Sequence, residues 1–140
     1  MSTYYWQNLS FELPAGLHDE TVLSFLNDAN DPGYSLTVAL DDLDAGLDAY
    51  SLEVVRELTE AEAGFSLERR EKKKIDGNAA IIMHQSIAAE DVTMLQKQAL
   101  VDVGDGKVAV VSITFTEPHA EGALACFNDV LKSLAVEEFE

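Results

Sequence analysis

A single cysteine, Cys126, leaves no partner for an intrachain disulfide, so oxidative cross-linking is excluded as a source of stability. Apolar burial has to hold the fold instead, and a hydrophobic share of 47% over 140 residues suffices for one core. The same scarcity favours a reducing compartment. Basic residues are few: 9 Lys and Arg stand against 26 Asp and Glu, a formal charge of −17. Such a charge repels polyanions, which makes nucleic acid and anionic membrane surfaces poor partners. Long apolar runs are missing as well, since no stretch approaches the roughly 18 residues of a membrane span. The opening Met1-Ser2-Thr3-Tyr4-Tyr5-Trp6-Gln7-Asn8 has no basic n-region, apolar h-region or small-residue cleavage site. A soluble, cytoplasmic protein without direct membrane insertion is therefore expected. Only three prolines occur, with no linker-like tract and no internal repeat, so residues 1–140 are expected to form one domain.

Motifs that carry chemistry are equally sparse. A nucleophilic site needs a Ser, Cys or Thr beside a base that a third group orients. The histidines His18, His84 and His119 fall in a loop, in a strand and at the start of the last helix, and form no such set. Cys126 precedes Phe127 on a helical stripe, without the His or basic neighbours that would activate a thiol. No CxxC, HExxH, HxH or calcium-loop spacing occurs, so no metal or other cofactor is expected. Asp41-Asp42-Leu43-Asp44 with Asp48 could attract a cation weakly, but capping of the following helix is the stronger reading. Gly104-Asp105-Gly106-Lys107 reads as a hairpin turn rather than a phosphate cradle. Enzymatic function is not expected; the alternative would need turnover that depends on His84 or Cys126.

What the sequence does contain is alternation. Residues 4–13 read as a first strand ending at Pro14, 20–27 as a second, and Tyr34, Leu36, Val38 and Leu40 mark a third after the turn signal Asn30-Asp31-Pro32-Gly33. Between Asp44 and Gly64 the period changes to three and four, through Leu47, Tyr50, Val54, Val55, Leu58 and Ala61. Asp44 or Asp48 is expected to cap that helix, and Gly64 to close it in a left-handed conformation. Four strands follow, near 65–75, 79–88, 92–102 and 107–116, joined as a meander with turns at Asp76-Gly77-Asn78, Ala89-Glu90-Asp91 and Gly104-Asp105-Gly106. At about ten residues each they would span about 33 Å. Pro118 opens a closing helix whose stripe is Ala120, Ala123, Leu124, Phe127, Val130, Leu131 and Leu134. Strands in runs rather than in alternation with helices predict an antiparallel α+β sandwich.

The final strands present one unusual face. Ala109, Val111, Ile113 and Phe115 form a core row, yet the opposite row, Val108, Val110, Ser112, Thr114 and Thr116, carries no charge. Gln96 and Gln98 sit as neutral hydrogen-bonding groups among apolar neighbours, and Ser24, Ser35, Thr37 and Ala39 are small enough for another backbone to approach. Either helices cover both faces of the sheet, or this face is a lightly polar groove for a partner such as a hydrophobic helix. Five of the nine basic residues crowd into Arg69, Arg70, Lys72, Lys73 and Lys74. They read as a solvated strand or as a docking site for an acidic partner.

Several ordered stretches carry a family likeness: Phe11-Glu12-Leu13-Pro14, Asp19 and the strand through Phe25, Tyr50, Gly64-Phe65-Ser66-Leu67, Ile75-Asp76-Gly77-Asn78-Ala79-Ala80, Met94-Leu95-Gln96-Lys97-Gln98, and the Val110 to Thr116 strand with its closing helix. In these the chain resembles the DcrB-like proteins, and within them the Eag chaperones of bacterial type VI secretion systems. The resemblance implies a Mog1/PsbP-like α+β fold and a non-enzymatic role. Eag chaperones hold the N-terminal transmembrane helices of effectors, often with PAAR or Rhs regions, before export, and act as homodimers whose sheet faces cradle those helices. Carried onto this chain, the groove would comprise Val22, Ser24, Thr37 and Gln98, together with Gln96, Ser112 and Thr114. Other DcrB-like proteins are envelope lipoproteins, a branch for which the opening residues offer neither signal peptide nor lipobox. An adaptor that recruits a soluble protein through charge is the alternative.

Overall fold

The computed structural model describes residues 2–6, 8–15, 22–27 and 33–135. The chain runs β1 (Ser2–Trp6), β2 (Leu9–Leu13), β3 (Val22–Leu26), β4 (Tyr34–Asp42), α1 (Leu47–Ala61), β5 (Phe65–Ile75), β6 (Asn78–Ala88), β7 (Thr93–Gly104), β8 (Lys107–Phe115), a 3₁₀ turn (Glu117–His119) and α2 (Ala120–Ser133). The alternation over 4–13 belongs to two strands rather than one. β1 turns back on β2, pairing Trp6 with Leu9 and Ser2 with Leu13, as a separate two-stranded sheet. Among the described residues four strands thus precede α1 instead of three. His18 and most of the Asn30–Gly33 turn lie outside the described residues.

The main sheet has the order β3-β4-β8-β7-β6-β5, every neighbouring pair antiparallel. After β4 the chain crosses through α1 to the far edge, and the β5–β8 meander returns it to lie beside β4. Two tight turns set the meander's register: Asp76-Gly77 joins β5 to β6 and Asp105-Gly106 joins β7 to β8, with φ of 51°, 77°, 54° and 69°. Positive φ at both central residues matches the right-handed twist of the flanking strands, which explains the Asp-Gly pairs. The meander strands are 11, 11, 12 and 9 residues long, as their alternation implied.

One helix lies on each face of this sheet. α2 buries Ala123 and Phe127 against Leu36, Ile82, Ala99, Val111 and Ile113, and Cys126 packs into the same cluster. α1 sets Leu47, Tyr50, Val54 and Val55 against Ile81, Met83, Leu100 and Val108 on the opposite face. Each face of the sheet thus carries a helix, but α1 packs over β5, β6 and β7, towards one side of its face, so the two alternatives each hold for part of it.

Two terminal signals of α1 work differently from expectation. Neither Asp44 nor Asp48 caps it; the N-cap is Gly46 at φ 90°, without a side-chain cap bond. Asp48 lies in the first turn, where a negative charge complements the helix dipole, and its carboxylate reaches Lys72 at 3.3 Å and Arg70 at 3.8 Å. Gly64 does not close the helix in a left-handed conformation, because Glu62 ends it in extended backbone. Gly64 instead abuts β6: its carbonyl accepts from the Ala88 N–H at 3.0 Å, and an added Cβ would sit 2.1 Å from the Ala88 carbonyl oxygen. Glycine is required there by close backbone approach.

Candidate ligand-binding sheet face

Strand alternation places all seven candidate residues on the face that carries α1, and the pairing registers draw them into adjacent rows. Ser24 pairs with Thr37, Thr37 with Ser112, and Ser112 with Gln98, so four strands contribute to one cross-strand row. The next row joins Leu26, Ser35, Thr114, Gln96 and Gln85. On the other side Val22 pairs with Ala39, Ala39 with Val110, and Val110 with Leu100. These three rows contain no charged residue from β3 to β7, in a chain whose formal charge is −17.

Exposure falls across the rows. Val22 and Ser24 on the edge strand β3 are exposed, Thr37, Thr114, Gln96 and Gln98 are half-buried, and Ser112 is buried at 6%. Ser112 consequently supports the face more than it presents a surface. Gln85, which was not among the residues singled out, is buried at 2% and belongs to the same network. Its amide donates to Gln96 Oε1, and Gln96 donates onward to the Thr114 hydroxyl at 3.1 Å. Gln98 donates separately to the Ser112 hydroxyl at 3.0 Å. Two acceptors are left over, for Gln85 Oε1 and Gln98 Oε1 are buried without a hydrogen-bond partner. An orphaned buried carbonyl costs about 1–3 kcal/mol, so a band holding two is not optimised for stability alone. Its position on β6, one strand inside the edge, is the signal that could have flagged Gln85, because Gln85 pairs with Gln96 in register.

Tyr50 closes the α1 end of this face. Its hydroxyl donates to Asp41 Oδ2 at 2.7 Å, and burial together with that carboxylate raises the phenol well above its ordinary value. The acidic stretch is absorbed in such contacts: Asp42 meets Lys107 at 2.5 Å and Asp48 meets Lys72.

The basic segment divides by alternation. Arg70 and Lys72 point to the α1 face, where Asp48 partners both and Arg70 also donates to the Ser51 hydroxyl at 2.6 Å. Arg69 and Lys73 lie on the α2 face with His84 and Lys97, around Glu71. Burial, then Lys97 and Arg69, hold His84 below its ordinary value. Burial and Arg69 likewise lower Lys97. Glu71 is pushed up by desolvation, but Arg69, His84 and Lys73 outweigh this and keep it below the usual carboxylate value.

No helix among the described residues is long and apolar enough to cross a membrane. No curated protein matches the sequence. Among solved structures, the chain is similar to PA94 of Pseudomonas aeruginosa, a protein of unknown function, with TM-score 0.80, 19% identity and 99% coverage of both chains. It is also similar to the cyanobacterial PsbP (CyanoP) of Synechocystis sp. PCC 6803, with TM-score 0.61 and 14% identity over 97% of this chain and 92% of that one. A third similar structure is LpqN of Mycobacterium tuberculosis, involved in cell envelope biogenesis, with TM-score 0.58 and 14% identity over 86% and 85%. At these identities the likeness establishes the fold, a PsbP-like α+β sandwich. The family relation rests on sequence: residues 9–133, spanning β2 through α2, match the DcrB family, and the chain belongs to it.

Proposed function

We propose that this protein is a non-enzymatic chaperone of the Eag kind, which binds and shields the N-terminal transmembrane helices of type VI secretion effectors, of the PAAR or Rhs type, in the cytoplasm before export. The observation that carries the reading is the uncharged band from Val22 and Ser24 to Gln96 and Gln98, built of small, apolar and amide side chains in three registered rows. Small residues let a helix backbone approach closely, and amides offer hydrogen bonds to the few polar groups of a membrane helix without the cost of desolvating a charge. The acidic remainder of the surface keeps a complex with so apolar a cargo dispersed. As a homodimer, two such faces would enclose a pair of helices.

The alternative is an adaptor that recruits a soluble partner through charge. The Arg70 and Lys72 half of the basic segment speaks against it, since Asp48 engages both side chains and offsets one of their two charges. The test is co-expression with an effector's N-terminal apolar segment. A soluble complex that survives high salt, and is lost in Val22→Asp and Gln98→Glu, is expected. A segment that stays insoluble, or a complex that both variants retain, overturns the reading. A complex that dissociates steeply with ionic strength favours the adaptor.

A further inference from the structure

On the opposite face of the sheet, between β5–β7 and the C-terminal half of α2, lies a cleft of about 560 Å³. That is within the range of small-molecule sites, roughly 300–1,000 Å³. Arg69, Lys73, Lys74, Lys97 and Lys132 line it, five of the chain's nine basic residues. The acidic residues lining it are Glu71 and Asp76. Lys74 belongs by alternation with Arg70 and Lys72, so four positive against two negative groups leave an excess of two in a protein that is otherwise strongly acidic.

The arrangement is built by register rather than by the basic run alone. Arg69 pairs with His84 and His84 with Lys97, so three nitrogen-bearing side chains stand side by side across β5, β6 and β7, about 10 Å from end to end. Lys132 joins from the last turn of α2. Glu71 is shared: Arg69, Lys73 and the His84 ring all come within 3.7 Å of its carboxylate. One carboxylate cannot neutralise two cations, and Lys97 is half-buried beside them. The floor has a different character, being apolar, from Ile82, Phe127 and Leu131.

We propose that this cleft binds a small amphipathic anion, with a carboxylate or phosphate head set among Arg69, Lys73 and Lys97 and an apolar body laid against Leu131, over the buried Ile82 and Phe127. The overall charge argues for smallness. At physiological salt a field is screened within about 8 Å, so a short anion inside the cleft meets mainly the local cations, whereas a polyanion would also meet the acidic exterior. The apolar floor argues against a bare inorganic anion, which would gain nothing from it. This site shares no residue with the band proposed for effector helices and stands or falls separately.

The experiment is titration of the full chain with octanoate, followed by backbone amide shifts, with acetate, octyl phosphate and inorganic phosphate as comparison probes. Octanoate and octyl phosphate should shift residues of β5–β7 and the end of α2, and both should bind more tightly than acetate or phosphate. The one of the two that binds more tightly identifies the head group. Arg69→Gln with Lys97→Met, the latter keeping the aliphatic stem, should weaken binding by about tenfold or more. Lys73→Gln, at an exposed position, provides a second variant with an unperturbed fold, and a thermal melt of each variant checks that fold. Unchanged affinity in the variants, shifts mapping instead to Ser24 and Gln98, or acetate binding as well as octanoate would each overturn the proposal.

Discussion

Gln98 donates to the hydroxyl of Ser112 at 3.0 Å while its own carbonyl oxygen is buried without a partner. The pair is therefore half-satisfied: one bond is made and one acceptor is stranded. Removing one member and removing both should have opposite signs. Ser112→Ala leaves the Gln98 amide unpaired as well and should cost about 1–3 kcal/mol. Gln98→Leu combined with Ser112→Ala removes the unsatisfied groups of this pair, leaving only the Gln85 carbonyl oxygen among the described residues, and should recover that loss and reach or exceed the wild-type stability. Urea denaturation of the two variants reads the difference, and additive losses would contradict it.

Gly64 should tolerate no side chain. The carbonyl of Ala88 stands 2.1 Å from where a Cβ would be, and it is backbone rather than a flexible tip. Gly64→Ala is expected to destabilise by about 2 kcal/mol or more, at the upper end of single-substitution effects. Ala88→Gly, by contrast, leaves the carbonyl in place and should not rescue it.

Phe127 carries the attachment of α2. It is 2% exposed within the cluster that includes Ile82, Ala99 and Val111. Truncation to alanine should cost about 3–5 kcal/mol in thermal or chemical unfolding. Val92, 46% exposed, should change stability by no more than about 0.5 kcal/mol on the same substitution.

Acid should weaken the fold in two stages. The folded His84 has a pKa below its ordinary 6.5, held there by burial and by Lys97 and Arg69, with Glu71 acting in the other direction. Below 6.5 the unfolded chain thus binds a proton that the folded chain resists, and stability falls as pH drops. Glu71 adds its share only as pH falls below its ordinary 4.5 and on through its lowered folded value. His84→Gln should flatten the first stage and diminish the second without abolishing it, since Arg69 and Lys73 still lower Glu71. Unfolding midpoints measured across that range test this; an unchanged slope below 6.5 in the variant would refute the assignment.

Much of the architecture was readable because period-2 alternation and Asp-Gly turns are local signals. β5 to β8 appear with ends displaced by a residue or two, and the α2 stripe from Ala120 to Leu134 packs as expected. The hairpin of β1 and β2 was missed because Gln7-Asn8 interrupts the alternation without a glycine or proline. Face membership of Ser24, Thr37, Gln98 and Ser112 follows from alternation within each strand. Their meeting in one row does not, because it depends on β4 lying beside β8, a pairing that no local pattern records. The same limit hid the cleft: the basic run reads as one block, whereas the pleat splits it and tertiary folding brings Lys97 and Lys132 to one half.

That crossover has a consequence for the chain's history. Thr37 meets Ser112 only after α1 and the first three strands of the meander have been made, so the band is among the last features to be assembled during synthesis. Pairings so distant along the chain form slowly, since a long loop must close before they return any stabilisation. A nascent or truncated polypeptide lacking β8 would have β3 and β4 but neither Ser112 nor the neighbour that aligns Gln98 with them. The competence proposed for this band, holding an apolar cargo, is thereby tied to completion of the fold, and unfinished copies have no assembled band.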